Sequence, residues 1–204
     1  MVSDANIERL ENLWGGGFGD DYVERNLGVY DARAPFWSAM LARLSPKSVL
    51  EIGCNVGGNL RFIAPELPPG TVYGIDVNLK ALTYLRESFP QVNGLLASAK
   101  ALPFRDDFFD LVFSMGVLIH QPEESIRDVI SEMVRVSGNW VLAGEYFAEQ
   151  AEEVPYRGHE GALFRRDYGR LFLEADPALV LVDSGRLTAS EGFDDVTWWL
   201  FRKG

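Results

Sequence analysis

Two acidic residues close consecutive apolar runs. Glu51 ends the run in "SVLEIG" and Asp76 ends the run in "TVYGIDV". Between them lies a turn with glycines at 53, 57 and 58. Glycines bring no Cβ atoms and let the backbone approach a ligand. A helix after such a turn presents free amide N–H groups at its N-terminus. A carboxylate ending the second strand is where a ribose diol is held in open parallel sheets. The chemistry these residues suit is the gripping of a nucleotide. Two further groups follow. His120 stands after the apolar run "FFDLVFSMG", and residues 145–166 gather Glu145, Tyr146, Tyr156, Arg157, His159 and Glu160.

The elements that must position these residues alternate from residue 48 onward. "SVLEIG" reads as a strand, "GNLRFIAPEL" as a helix, and "TVYGIDV" as a second strand. "NLKALTYLRESF" follows as a helix with Leu79, Leu82 and Leu85 on its buried side. "VNGLLAS" and "FFDLVFSMG" are strands three and four, "EESIRDVISEMVRVS" is a helix and "NWVLAGEYF" is strand five. This alternation predicts an α/β, Rossmann-like doubly wound sheet with helices on both faces. "ALVLVDSGRL" and "DVTWWLFRK" have no helix between them, so they predict an antiparallel hairpin at the sheet edge, with Trp198 and Trp199 on opposite faces. Upstream, Ser3 or Asp4 is placed to cap a helix with Ile7, Leu10, Leu13 and Trp14 on its apolar side. "GGGFGDDY" should break that helix, and "APFWSAMLARL" (34–44) reads as another.

NAD and S-adenosylmethionine both fit a glycine turn of this kind, and three details favour the second. The spacing G-x-G-x-x-G is absent, because Asn55 and Val56 occupy its middle. Glu51 repels a pyrophosphate but suits an α-amino group. Ser98 and the backbone beside it, after strand three, are placed to meet an adenine edge.

With E-x-G-x-x-x-G at 51–57, "GIDVN" at 74–78, "ALPFRDDFFDLVFSMGVLIH" at 101–120 and the final strand pair, the chain resembles the class I S-adenosylmethionine-dependent methyltransferases. The resemblance implies a seven-stranded sheet whose last strand is antiparallel. It departs from that family at Asn55, where glycine is frequent, and at Ser98, where aspartate is frequent. "LWGGGFGDDYVERN", "GVLIHQPEE", "EYFAEQAEEVPYRGHEGALFRRDYG" and "DDVTWWLF" are similar to the methylase family named for its association with pseudaminic acid biosynthesis. That similarity implies an amino sugar, nonulosonic acid or related small acceptor, methylated on O or N. No repeat, low-complexity segment or linker divides the chain, so a single methyltransferase domain over 1–204 is expected, with a helical cap (1–45), a donor-binding core (48–146), an acceptor-side loop (145–170) and a C-terminal hairpin (177–203).

The donor-side set implied is Tyr22, Arg25, Glu51, Gly53, Cys54, Asn55, Gly57, Asp76, Val77, Ser98, Ala99, Met115 and Gly116. Arg25 is a candidate for the methionine carboxylate, and Trp14 or Tyr22 for the sulfonium, since cations favour aromatic faces. Tyr146, Tyr156, Arg157 and His159 are the acceptor-side candidates, with Arg157 suited to a carboxylate or phosphate. His120 is the leading general base, and His159 and Tyr146 are the alternatives. An ordinary histidine is half neutral near pH 6.5 and can take a proton at cellular pH.

Totals narrow the field. Net charge is −11, which opposes nucleic acid as the main partner. The dense basic stretch "RRDYGR" (165–170) is equally explained as a solvated helix start. Cys54 is the only cysteine, so neither an internal disulfide nor a cysteine-rich metal site is possible. No metal is expected, and no apolar run reaches the length of a membrane span. The N-terminus lacks signal-peptide features, so a cytoplasmic location is the expectation. Oligomeric state is open. Two rival readings stand beside the methyltransferase. One is an NAD-dependent reductase or epimerase. The other is a non-catalytic binding module whose exposed Phe147, Val154 and Phe164 form an interface.

Overall fold

A computed structural model describes the backbone of residues 2–28 and 31–204, and side chains of that range from residue 5 onward. In chain order the helices are α1 (Val2–Gly15), α2 (Gly17–Arg25), α3 (Ala34–Leu44), α4 (Leu60–Ile63), α5 (Leu79–Ser88), α6 (Glu123–Val136) and α7 (Tyr168–Ala175). The strands are β1 (Val49–Ile52), β2 (Val72–Asp76), β3 (Asn93–Leu96), β4 (Phe109–Met115), β5 (Ser137–Glu145), β6 (Glu152–Glu153), β7 (Phe164–Arg165), β8 (Val180–Leu187) and β9 (Val196–Arg202).

Seven strands form one sheet in the order β3-β2-β1-β4-β5-β9-β8. β1, β2, β3, β4 and β5 pair in parallel, and β9 runs antiparallel to both β5 and β8. The expected Rossmann-like arrangement with an antiparallel last strand is therefore observed. Register places Ile52 beside Ile75 and Ser114, and Ser114 beside Ala143. The residues that follow these positions thus share one edge of the sheet.

Side chains alternate between two covered faces, as β geometry demands. Leu50, Ile52, Val112, Val141, Ala143, Trp199 and Phe201 pack with Ile126, Ile130 and Met133 of α6 and Phe172 of α7. Val49, Leu111, Phe113, Leu142 and Leu200 pack with Trp37 and Met40 of α3, Leu60 of α4 and Leu85 of α5. Trp198 joins this second face while Trp199 lies on the first. Among the described residues no helix is long and apolar enough to cross a membrane.

Four local expectations are corrected. Leu79 is 61 % exposed, because it opens α5 and points away while Ala81, Leu82 and Leu85 are buried. The glycine cluster after Trp14 does not end helical structure, since only Gly16 separates α1 from α2. A Cβ on Gly19 would sit 1.7 Å from the Trp14 carbonyl oxygen, so the missing side chain permits the tight crossing of the two helices. The stretch 145–166 contains an antiparallel ribbon of β6 and β7. Of its three apolar side chains expected at the surface, Phe147 is exposed, whereas Val154 and Phe164 are half-buried. The Ser3 or Asp4 cap concerns side chains outside the described residues.

"RRDYGR" is not an open basic patch. Arg166 is buried and donates to the Gln121 carbonyl (2.9 Å), Arg165 pairs with Glu152, and Arg170 pairs with Glu174. Asp167 caps α7 through the Arg170 amide (2.9 Å).

Strand β2, between β3 and β1, tolerates no side chain at Gly74. An added Cβ would lie 2.7 Å from Cys54 Sγ and 2.8 Å from Leu60 Cδ1. Gly74→Ala is expected to destabilise by about 1–3 kcal/mol through overpacking. Thermal and urea unfolding measure it, and an unchanged midpoint would show that the Cys54 side chain moves aside freely.

Candidate active site

The carboxyl edge of β1, β2, β4 and β5 opens into a cavity of about 390 Å³, closed on the opposite side by α1 and α2. Its lining contains most of the residues expected at the site: Tyr22, Arg25, Glu51, Gly53, Cys54, Asn55, Asp76, Val77, Ser98, Ala99, Met115, Gly116, His120, Tyr146, Tyr156 and Arg157. Two expected residues are absent from it. Gly57 instead faces Leu85 and Phe89, and its neighbour Gly58 lines the cavity. His159 packs edge-on against Phe18 at 4.8 Å, off the cavity wall.

The turn after β1 is built on positive φ angles at Gly53 (+64°) and Asn55 (+46°). Asparagine tolerates this region better than most residues, which explains how it replaces a glycine. A Cβ on Gly53 would lie 2.6 Å from Val117, so the loop after β4 rests directly on this glycine. The Asn55 amide donates to Asp76 Oδ2 (2.8 Å), and the Asn78 amide donates to Oδ1 (2.9 Å). These bonds aim Asp76 across the turn. Burial raises the Asp76 pKa, opposed by the amides of Asn78, Asn55 and Val77. Cys54 is buried, with its Sγ packed against Gly74.

Glu51 is buried, and its Oε1 accepts from Asn59 Nδ2 (2.6 Å). Asn59 Oδ1 in turn accepts from Arg33 Nη1 (3.0 Å) and Trp37 Nε1 (3.2 Å). Glu51 Oε2 has no partner among the described residues. Burial pushes the Glu51 pKa up to about 8, against the lowering effects of Asn59 and Arg33. An orphaned buried carboxylate oxygen beside a cavity is a seat for an ammonium group. Asn59 and Arg33 are functional candidates that sequence reasoning missed. Arg33 also donates to the Gly192 carbonyl (2.8 Å) and lies 4.8 Å over the Phe193 ring, far along the chain from Glu51. Arg25, also on the cavity wall, lies 5.7 Å over the Tyr22 ring and 6.0 Å over Phe18.

His120 closes a 3-10 turn, and its Nδ1 lies 2.7 Å from the Ala162 carbonyl. A carbonyl only accepts, so Nδ1 carries the proton and Nε2 of the neutral ring keeps a lone pair. Burial lowers the pKa to about 4, well below the ordinary value expected from sequence. The Trp14 ring lies 4.3 Å from the imidazole and the Tyr156 ring 5.2 Å from it. Trp14 Nε1 is buried without an acceptor among the described residues.

Glu145 holds the turn that presents His120. Its carboxylate accepts from Ser114 Oγ (2.9 Å) and the amides of Val117 (3.3 Å) and Ile119 (3.2 Å). Burial pushes its pKa up to about 7. Burial likewise pushes the Tyr146 phenol up to about 12, so it is a donor rather than a base at neutral pH.

Tyr156 and His159 exchange backbone hydrogen bonds across a two-residue turn, with Arg157 at φ +49° and Gly158 at +84°. Turns of this type favour glycine, asparagine or aspartate. An arginine there is strained and stands at the cavity rim. The Ser98 hydroxyl donates to Glu11 Oε1 (2.6 Å) rather than standing free. Among the described residues no cluster of three or more His, Cys, Asp or Glu side chains has metal-binding geometry.

Residues 49–138 match a family model described as a methyltransferase domain. The chain is 33% identical over 102 residues to a probable chloroplastic tocopherol O-methyltransferase of Oryza sativa subsp. japonica, covering 47% of this chain and 27% of that protein. It is 26% identical over 172 residues to the 2-methyl-6-phytyl-1,4-hydroquinone methyltransferase of Synechocystis sp., covering 77% of this chain and 53% of that one. The chain thus spans from about a quarter to about half the length of these curated relatives. The solved structure of magnesium protoporphyrin IX methyltransferase from Synechocystis, with bound S-adenosylhomocysteine, superposes with a TM-score of 0.71 at 15% identity. That match covers 97% of this chain and 99% of the other. The fold is the Rossmann-like methyltransferase fold.

The Glu51 pKa makes stability depend on pH. Its folded value of about 8 exceeds the ordinary 4.5, so the unfolded chain loses this proton first as pH rises. The contribution is complete below the ordinary value and disappears as pH climbs through the folded one. For His120 the direction is opposite, and stability falls as pH drops from 6.5 towards 4. Relative to wild type, ligand-free Glu51→Gln should therefore gain on the order of 1–3 kcal/mol between about pH 5 and pH 8. Urea melts at the two pH values measure it, and a pH-independent difference would refute a protonated buried acid.

Proposed function

We propose that this chain is an S-adenosylmethionine-dependent methyltransferase acting on a small molecule. The observation that carries the reading is the orphaned Glu51 Oε2, set beside Asp76 on one cavity. Glu51 receives the donor's α-ammonium group, and Asp76 receives its ribose hydroxyls. Arg33, linked to Glu51 through Asn59, is the better-placed partner for the methionine carboxylate. Trp14, Tyr22 and Tyr156 supply aromatic faces for the sulfonium and the acceptor.

When bound, the donor supplies a methyl group on a sulfonium whose displacement returns the S–C electron pair to sulfur, leaving S-adenosylhomocysteine. The protein's task is alignment and exclusion of water. An attacking O–H or N–H must lose a proton as the new bond to carbon forms. The His120 Nε2 lone pair is the acceptor for that hydrogen. With its pKa held near 4, the ring stays neutral throughout the physiological range. It orients the nucleophile and holds the proton transiently at Nε2, and the proton goes to bulk water as the products leave, because a base far below the operating pH does not retain it.

For the acceptor we keep an amino sugar, nonulosonic acid or related metabolite, methylated on O or N. Support comes from the similarity of the chain's outer segments to the pseudaminic acid-associated methylases and from Arg157 at the rim, suited to an oxyanion. Hydroquinone and tocopherol ring systems, named for the relatives, belong in the same test panel.

S-adenosylhomocysteine should raise the melting temperature, and NAD should not. Glu51→Ala and Asp76→Ala should abolish the shift. His120→Ala should leave the S-adenosylhomocysteine Kd within about threefold and lower turnover at least about tenfold. Protection by NAD alone would sink the donor assignment, and normal turnover of His120→Ala would sink the histidine's role.

A further inference from the structure

The strand order lays the polar groups of the cavity out in a line. Ala97, Ser98 and Ala99 follow β3, Asp76 ends β2, Glu51 and the glycine turn end β1, and Met115 and Gly116 follow β4. A ligand held at its sugar by Asp76 and at its ammonium by Glu51 must send its remaining part, the purine, towards β3. Apolar Leu10, Val77, Ala99 and Ile119 line the same cavity, Ala99 directly after β3 and Val77 directly after β2. Such a slot accepts a flat ring, but an exocyclic amine on that ring needs an acceptor.

Ser98 is a poor one. Its hydroxyl proton goes to Glu11 Oε1 (2.6 Å), and its oxygen accepts from the Lys100 amide (3.2 Å). Glu11 is held from two sides, by Ser98 and by Lys100 Nζ, 3.5 Å from the same Oε1. Its other oxygen, Oε2, has no partner among the described residues, and Glu11 lines the cavity. The residue belongs to α1, outside the segment 49–138 that matches the methyltransferase domain.

We propose that Glu11 Oε2 accepts the hydrogen bond of the donor's exocyclic purine amine, so that the N-terminal helix reads the base. The proposal rests on the donor assignment above. It carries a structural consequence. α1 is joined to the sheet edge at Asn78, whose Nδ2 donates to the Trp14 carbonyl (3.1 Å), and again at Ser98 through Glu11. A base bound between them adds a third tie, so donor binding and closure of this helix over the cavity reinforce each other.

The test is calorimetric and needs no acceptor. S-adenosylhomocysteine and S-inosylhomocysteine differ at purine position 6, amine against oxo group. The wild-type protein should bind the amine form at least about tenfold more tightly, since a carboxylate accepts from an amine and repels a carbonyl oxygen. Glu11→Gln should bring the two within about threefold, because an amide both accepts and donates. Circular dichroism checks that the variant is folded, and if it is not, the wild-type ratio alone decides. A wild-type ratio near one, or a ratio unchanged in Glu11→Gln, overturns the proposal while leaving the donor assignment standing. Binding of neither compound overturns both.

Discussion

A carboxylate buried with one oxygen bonded and the other bare is the constraint on which the rest of this structure depends. Asn59 satisfies Glu51 Oε1, and among the described residues nothing satisfies Oε2. Leaving a buried acceptor unpaired costs about 1–3 kcal/mol, and ionising it there costs more. A fold carries such a cost where a ligand removes it. The surrounding elements are arranged so that the protein itself does not. Trp37 of α3 and Arg33 both donate to Asn59 Oδ1, which fixes the amide and holds its Nδ2 on Glu51 Oε1.

The opposite side of the cavity is made of close backbone approaches and rings rather than of charge. Gly19 lets α2 cross beneath the end of α1, which sets Trp14 4.3 Å from the His120 ring. Glu145 gathers the amides of the turn carrying His120, and the Ala162 carbonyl fixes the tautomer. The hairpin at Arg157 completes the rim at the cost of a strained φ. Each contact is local, yet together they convert a histidine of ordinary type into a buried neutral acceptor.

Much of this was legible from residue order. The boundaries of α3 and the alternation of strands and helices follow from periodicity, and the paired acids follow from their place at strand ends. Trp198 and Trp199 fall on opposite faces because adjacent strand residues must. The misreadings share a cause. Leu79 looks like part of a helical stripe, but its position at the first turn directs it outward. The glycines after Trp14 look like a break, and only the carbonyl beneath Gly19 shows them to be a crossing. Arg166 looks solvated, and only the Gln121 carbonyl shows it buried. His159 and Gly57 sit in suggestive stretches, yet neither lies on the cavity wall.

By itself the sequence determined the strands and helices and the glycine turn with its two acids, because these depend on side-chain period and on local turn chemistry. It also carried the composition that places aromatic residues on the N-terminal helices. The tertiary structure alone decided which polar groups finish the site. Glu11 meets Ser98 across 87 positions, Arg33 meets the Gly192 carbonyl across 159, and His120 meets Ala162 across 42. No spacing rule reaches so far. Such partners are selected by the packing of whole elements against one another, and the same packing, by excluding water, moves Glu51 and His120 away from their ordinary pKa values.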